Sequence, residues 1–340
     1  MGKKLLILSQ IGSPTKPEPK EVGAYLRRFL MDKRILDIPW LPRFILVNLG
    51  IVWRRKKPSA EKYHNIWTAE GSPLVVETTK FAEGLQKQVP NVDVVIHWRY
   101  GELNAEQTLK PYQQNNYDEV LVAPLYPQFA MATTGSALDV LLPALKKIWP
   151  QQKNIKTLKP FFDHEAFLNG WVNRLKPLVK ADRHLLFSFH GLPVSQIKKT
   201  TGCDLESCCD RSDNDSNCYY AQCKQTVRLL SKRLGLKPEQ YTLCFQSRVG
   251  PKKWLEPSTE QTTESLVKNK GVTSVVVACP AFVTDGLETL EEINLELQHN
   301  FKNWGGKDFV MAESLNHELA WISGFAGIVN APDRWDQNHS

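Results

Sequence analysis

Three groups of side chains in this chain have types and spacings that could do chemistry. His190 ends the apolar run Leu185-Leu186-Phe187-Ser188-Phe189 and is followed at once by Gly191, Leu192 and Pro193. A neutral imidazole delivered at a strand tip could take a proton from a weak acid or hold a soft divalent metal, and glycine beside it lets a ligand come close. Shortly after come five of the seven cysteines: Cys203, Cys208, Cys209, Cys218 and Cys223. The third group is acidic. Asp285 and Glu288 fit a capping box that starts a helix. Glu288 and Glu292, four residues apart, would also share a face with Asp285, and no lysine accompanies them. Such a row could relay protons or escort a cation.

The elements that must carry these groups are legible from the pattern. Short apolar runs at 4–9, 92–98, 119–124, 184–190, 241–246 and 274–279 predict strands, and helical patterns at 73–88, 134–149, 164–180, 220–234, 259–268 and 285–298 alternate with them. Strands of that kind separated by helices imply α/β architecture, with parallel sheets flanked by helices on both faces. A boundary near Pro160 gives two Rossmann-like halves, 1–160 and 161–313, and residues 314–340 supply a last helix that packs back on the first half. In open sheets of this kind, ligands bind outside the carboxyl ends of the strands. Those ends carry Trp98, Arg99, Tyr100, Tyr126, Phe129, Arg248 and Trp254, which suit a flat, apolar ligand bearing carboxylates.

Composition narrows the class. At 340 residues with 42% hydrophobic and 23% charged side chains, the chain is an ordinary globular protein. Its formal charge of +7 is too diffuse to imply nucleic acid. The absence of a cleavable leader pattern ahead of the run at Leu5 predicts a cytoplasmic protein, where clustered thiols read as metal ligands before disulfides. Cys244 and Cys279 lie inside apolar runs and read as buried small hydrophobes. Residues 35–57 break the pattern: tryptophans and apolar residues end in the basic cluster Arg54 to Lys57, too short to span a bilayer. That segment predicts peripheral contact with the inner face of the cell membrane.

Several motifs resemble the ferrochelatase family, the enzymes that put ferrous iron into porphyrin. They are Phe187-Ser-Phe-His-Gly-Leu-Pro193, Pro124-Leu-Tyr-Pro-Gln-Phe129 with Thr133-Thr-Gly-Ser136, Phe245-Gln-Ser-Arg-Val-Gly-Pro251 with Trp254, Asp285-Gly-Leu-Glu-Thr-Leu290 and Ile66-Trp-Thr-Ala-Glu-Gly-Ser-Pro73. The resemblance runs from Leu5 to about Leu297. It implies two Rossmann-like domains with the porphyrin cleft between them, and His190 with Glu288 as the central pair that binds Fe2+ and takes the pyrrole protons. By the same resemblance, Arg99, Tyr100, Tyr126 and Trp254 line the pocket, and Arg55, Ser72 and Ser247 lie near the propionates. Asp285 and Glu292 extend the proton and metal route. The implied product is protohaem from protoporphyrin IX, the last step of haem biosynthesis. One departure stands out: Gly286 occupies a position where some members carry histidine.

The cysteine spacing matches neither zinc-ribbon pairs nor the plant ferredoxin pattern, so by itself it says only soft-metal site. Some bacterial ferrochelatases are similar in carrying a [2Fe–2S] cluster on an internal insert, which favours the cluster over zinc. Four of the five cysteines suffice: Cys203, Cys218, Cys223 and one of Cys208 and Cys209, whose adjacent side chains diverge. Two other readings stay open at this level: an iron–sulfur sensor of redox state or haem without turnover, and a cobalt chelatase of a corrin pathway.

Overall fold

The computed structural model describes residues 3–201, 217–248 and 250–337. The described chain forms two compact units. One takes the residues up to Tyr126, Met131–Lys159 and those from His317 on; the other takes Pro127–Ala130 and Pro160–Asn316.

In the first unit β1 (Lys4–Gln10), β2 (Val92–Trp98), β3 (Glu119–Pro124) and β4 (Ile155–Leu158) make a parallel sheet in the order β2-β1-β3-β4. In the second unit β5 (His184–His190), β6 (Tyr241–Gln246), β7 (Ser274–Ala278) and β8 (Asp308–Met311) repeat that arrangement as β6-β5-β7-β8. The first sheet ends in an antiparallel edge strand, β9 (Trp335–Gln337), paired with β4. Both sheets are therefore parallel and flanked by helices, as the alternating pattern predicts, apart from that short edge.

Central strands are buried on both faces, which is why Leu5 to Leu8 and Leu185 to Phe189 read as unbroken apolar runs. Each such side chain contributes about 1.5–3 kcal/mol when fully buried. In the second unit Leu186, Val275 and Val277 meet Ile293, Leu297 and Phe301, which fastens the helical stretch after β7 to the sheet. The helix Leu319–Asn330 packs on Pro73–Gln88 through Phe81, Trp321 and Phe325. Gly84 makes room there, since a Cβ on it would come within 2.6 Å of Ile322.

The sequence pattern missed β4, β8 and β9, which have four, four and three residues and lie at or near sheet edges, where alternation is too brief to register. It also missed the helices Pro19–Leu30 and Val52–Ile66; the second carries the basic cluster and an internal proline, Pro58.

Candidate active site

Strand β5 lies between β6 and β7, at the point where the strand order reverses, and His190 is its last residue. That is where open α/β sheets bind ligands. Gly191 N donates to Gln246 O at 2.8 Å, and a Cβ on Gly191 would meet that oxygen at 2.8 Å and the Trp254 ring at 3.3 Å. Only glycine lets the chain turn this tightly. The backbone then pairs with the 253–255 segment, Val194 N to Lys253 O and Leu255 N to Leu192 O, which pins Trp254 beside Gly191. His190 Nδ1 lies 2.7 Å from Gly191 O. A carbonyl only accepts, so Nδ1 carries the proton and Nε2 keeps the lone pair in the neutral ring. The Phe282 ring stands 6.3 Å away, edge on.

The acidic motif opens a π-helix, Leu287–Leu297, rather than an α-helix. π-Helical turns are rare and gather at functional sites. The expected capping box between Asp285 and Glu288 does not form. Gly286 N donates to Thr289 Oγ1, and Thr289 Oγ1 in turn donates to Asp285. Asp285 also accepts from Ser314 N at 3.1 Å and Asn316 Nδ2 at 2.8 Å. Its carboxylate is thus spent, buried, on fixing the helix entrance. The sequence row of three acids reduces to two, because the i→i+5 turn keeps Glu288 and Glu292 together while Asp285 faces inward.

Glu292 is held at both oxygens by Ser247, whose N–H donates at 2.7 Å and whose hydroxyl donates at 2.6 Å. Ser247 has φ 66°, a left-handed conformation that a non-glycine residue adopts only under constraint. Burial raises the Glu292 carboxyl above the ordinary carboxylate value. Ser247 and the nearby His190 pull it down, and Glu288 pushes it up again. Through those interactions His190, Glu288 and Glu292 form one electrostatic group. Ser247, expected near a propionate, has both donors committed to Glu292 instead. Beneath them lies Gln246, which the sequence reading overlooked. Its amide accepts from Ser188 Oγ at 2.7 Å and donates to Glu288 O at 2.7 Å, tying β5, β6 and the acidic helix together. A lone glutamine closing the apolar strand 241–246 was the available signal. The thiols of Cys244, pushed up by burial to about 12, and of Cys279, also raised by burial, remain protonated and inert.

In the first unit Arg99 and Tyr100 converge on a residue that sequence reading did not single out, Asp32. Arg99 Nη2 donates to it at 2.7 Å and Tyr100 Oη at 2.8 Å, with Ser136 Oγ as a third donor. Arg99 Nε also reaches Ser136 Oγ at 2.8 Å, and its guanidinium lies over the Tyr100 ring. Burial, with Asp32 second, raises the Tyr100 phenol, so it stays neutral. Both residues, expected as pocket lining, are therefore engaged in a buried network around one carboxylate. Nearby His97 is lowered to about 4, by burial and then by Arg99, and stays neutral. Ser72 is buried at the start of the helix Pro73–Gln88, Tyr126 is half-buried at the end of the β3 loop, and Arg55 is exposed on Val52–Ile66.

The sequence profile of the family described as Ferrochelatase matches residues 3–332. The chain belongs to the ferrochelatase family. It is 40% identical over 336 residues to the ferrochelatase of Bdellovibrio bacteriovorus, covering 97% of this chain and 100% of that one. It is 37% identical over 331 residues to the ferrochelatase of Legionella pneumophila, covering 96% and 98%. Among solved structures, SirB from Bacillus subtilis with Fe3+ aligns with a TM-score of 0.57 at 12% identity, over 96% of this chain and 94% of that chain. SirB from Bacillus subtilis subspecies spizizenii in complex with cobalt aligns at 0.53 and 12%, over 96% and 93%. At that identity the likeness concerns the fold. As a ferrochelatase-family member the chain is an enzyme of metal insertion in haem biosynthesis.

Two further features of this ferrochelatase-family chain are the 35–57 segment and the cysteine insert. The 35–57 segment becomes a helix Trp40–Ile45, a π-helix Leu46–Ile51 and the start of Val52–Ile66. Trp40, Leu49 and Trp53 are 61%, 74% and 69% exposed, next to exposed Arg54, Arg55 and Lys57. No described helix is long and apolar enough to cross a membrane. Of the insert, Cys203, Cys208 and Cys209 lie outside the described residues. Cys218 and Cys223 are buried free thiols at the start and in the second turn of the helix Tyr219–Arg233. Among the described residues no three His, Cys, Asp or Glu side chains are grouped to hold a metal ion.

Proposed function

We propose that this chain inserts Fe2+ into protoporphyrin IX to give protohaem, with His190 as the base that takes a pyrrole proton at Nε2 and Glu288 as its partner for metal or proton. The observation that carries this reading is the hydrogen bond from His190 Nδ1 to Gly191 O, which leaves the Nε2 lone pair free on an imidazole that interacts electrostatically with Glu292, itself coupled to Glu288. Insertion exchanges two pyrrole N–H protons for one dication, so two protons must leave as the metal arrives. A neutral imidazole can take a proton at its free ring nitrogen, and Glu288 lies in the same electrostatic group to share metal or proton. Glu292, whose carboxyl is raised by burial, holds a proton more readily than an exposed carboxylate and suits the next step outward. Trp254 and Tyr126 would contact the macrocycle, and exposed Arg55 with Ser72 would meet its propionates. Arg99 and Tyr100 would act behind that surface through Asp32, and Asp285 by fixing the acidic helix.

The exposed apolar face of residues 40–53, with its flanking basic side chains, supports peripheral membrane contact through which an apolar substrate would arrive. For the insert, two buried thiols free of disulfide, Cys218 and Cys223, at the start of one helix fit part of the four-thiolate set of a [2Fe–2S] cluster. Cys203, Cys218, Cys223 and one of Cys208 and Cys209 would hold it, and such a cluster supplies one-electron redox chemistry.

Anaerobically purified protein tests the reading with one sample, by absorption spectrum and by iron insertion into protoporphyrin. His190→Ala is expected to lose insertion at least a hundredfold while still binding porphyrin; full activity in that variant would overturn the assignment. Cys218→Ser is expected to lose the visible cluster absorbance, and an unchanged spectrum would remove Cys218 from the ligand set.

A further inference from the structure

The helix Tyr219–Arg233 carries the Cys223 thiol of the insert, and its buried face sets several polar side chains beside the apolar Val227 and Leu230, where an all-apolar stripe is the norm. Tyr219, Gln222 and Thr226 fall at i, i+3 and i+7 and are 7%, 3% and 0% exposed. Buried polar groups persist where hydrogen bonds repay their desolvation, and each of these three reaches a loop of the same unit. Tyr219 Oη donates to His190 O at 2.8 Å. Gln222 Oε1 accepts from Phe129 N at 2.6 Å. Thr226 Oγ1 donates to Phe162 O at 3.1 Å and accepts from Gln128 Nε2 at 3.2 Å. The Tyr219 phenol also hydrogen-bonds with the Cys223 thiol, one turn further along.

We propose that Tyr219 is a positioning residue for His190, and that this helix is the mount on which the His190 loop and the 127–130 segment are separately held. The inference rests on the reading of His190 as the base. Tyr219 grips the backbone at the residue whose ring must be aimed, so its hydroxyl governs the approach of Nε2 and not the affinity for the macrocycle. Gln222 grips Phe129, an aromatic residue of the 124–129 motif, so it governs how porphyrin is seated. The two residues sit three apart on one helix and are assigned opposite kinetic effects. A small misplacement of a reacting group costs on the order of tenfold to a hundredfold in rate.

The test compares Tyr219→Phe with Gln222→Ala in the full chain, using protoporphyrin and ferrous iron. Tyr219→Phe is expected to lower kcat about tenfold with KM for porphyrin within about twofold, and Gln222→Ala to raise KM about fivefold with kcat within about twofold. Equal effects of both variants, or loss of stability with unchanged kinetics of the folded protein, would overturn the proposal. Should either variant fail to fold, 3-fluorotyrosine at position 219 retains the ring and hydroxyl. Its fluorine resonance is expected to move when His190→Ala is introduced, and an unmoved resonance overturns the link. Full activity in His190→Ala would defeat the assignment of the base; a silent Tyr219→Phe beside an inactive His190→Ala defeats only the mount.

Discussion

Ser247 closes on Glu292 with two donors at once, the backbone N–H at 2.7 Å and the hydroxyl at 2.6 Å, from a left-handed backbone. That clamp holds a partly buried carboxylate next to His190, and strain at φ 66° is the cost of aiming both donors at one group.

Removing the hydroxyl should therefore act on the acid as much as on its position. Ser247→Ala deletes an interaction that lowers Glu292, so the carboxyl rises further above its ordinary value. The acid limb of the kcat/KM profile against pH is expected to move to higher pH, with activity at neutral pH down about tenfold, the worth of a hydrogen bond to a charged group. An unchanged profile would show that Glu292 does not titrate in the reaction.

Glu292 also has a stability signature. Its folded value lies above its unfolded one, so folding favours the protonated form. The associated stability is present below the unfolded carboxylate value and lost as pH rises through the folded value. Glu292→Gln, which stays neutral, should gain on the parent across that window in urea midpoint and match it in trend below. A constant gap at all pH values would contradict the raised carboxyl.

Gly191 admits no side chain without displacement of the β5–β6 end. Gly191→Ala puts a Cβ 2.8 Å from Gln246 O, a backbone atom that cannot rotate away. The expected result is a loss of about 1–3 kcal/mol in thermal or urea unfolding. At least tenfold lower iron insertion should accompany it, with a changed tryptophan emission as Trp254 moves. Parent-like activity would mean that the tight turn does not aim His190.

Asp32 is the counter-charge of Arg99, and their side chains are 4% and 17% exposed. Asp32→Asn leaves a buried guanidinium without its partner and should destabilise the first unit by about 3 kcal/mol. The double variant with Arg99→Leu should recover part of that loss. Additive losses in the cycle would show that the pair is not coupled.

Sequence alone determined the alternation that makes two parallel sheets, because strands buried on both faces leave continuous apolar runs such as Leu185 to Phe189. It also marked His190, since a polar residue ending such a run can only stand at the sheet's carboxyl edge, and it marked Glu288 and Glu292 by their spacing of four. It misjudged Asp285: local spacing fits a capping box equally well, and nothing within the motif reveals Ser314 and Asn316 as its partners. Ser247 with Glu292 are 45 positions apart, and Asp32 with Arg99 are 67 apart. The grip of Tyr219 on His190 spans 29 positions. Those pairs are created by strand order, which brings distant loops to one edge of a sheet. Periodicity records which face a residue buries, and only the tertiary structure decided which partner waits there.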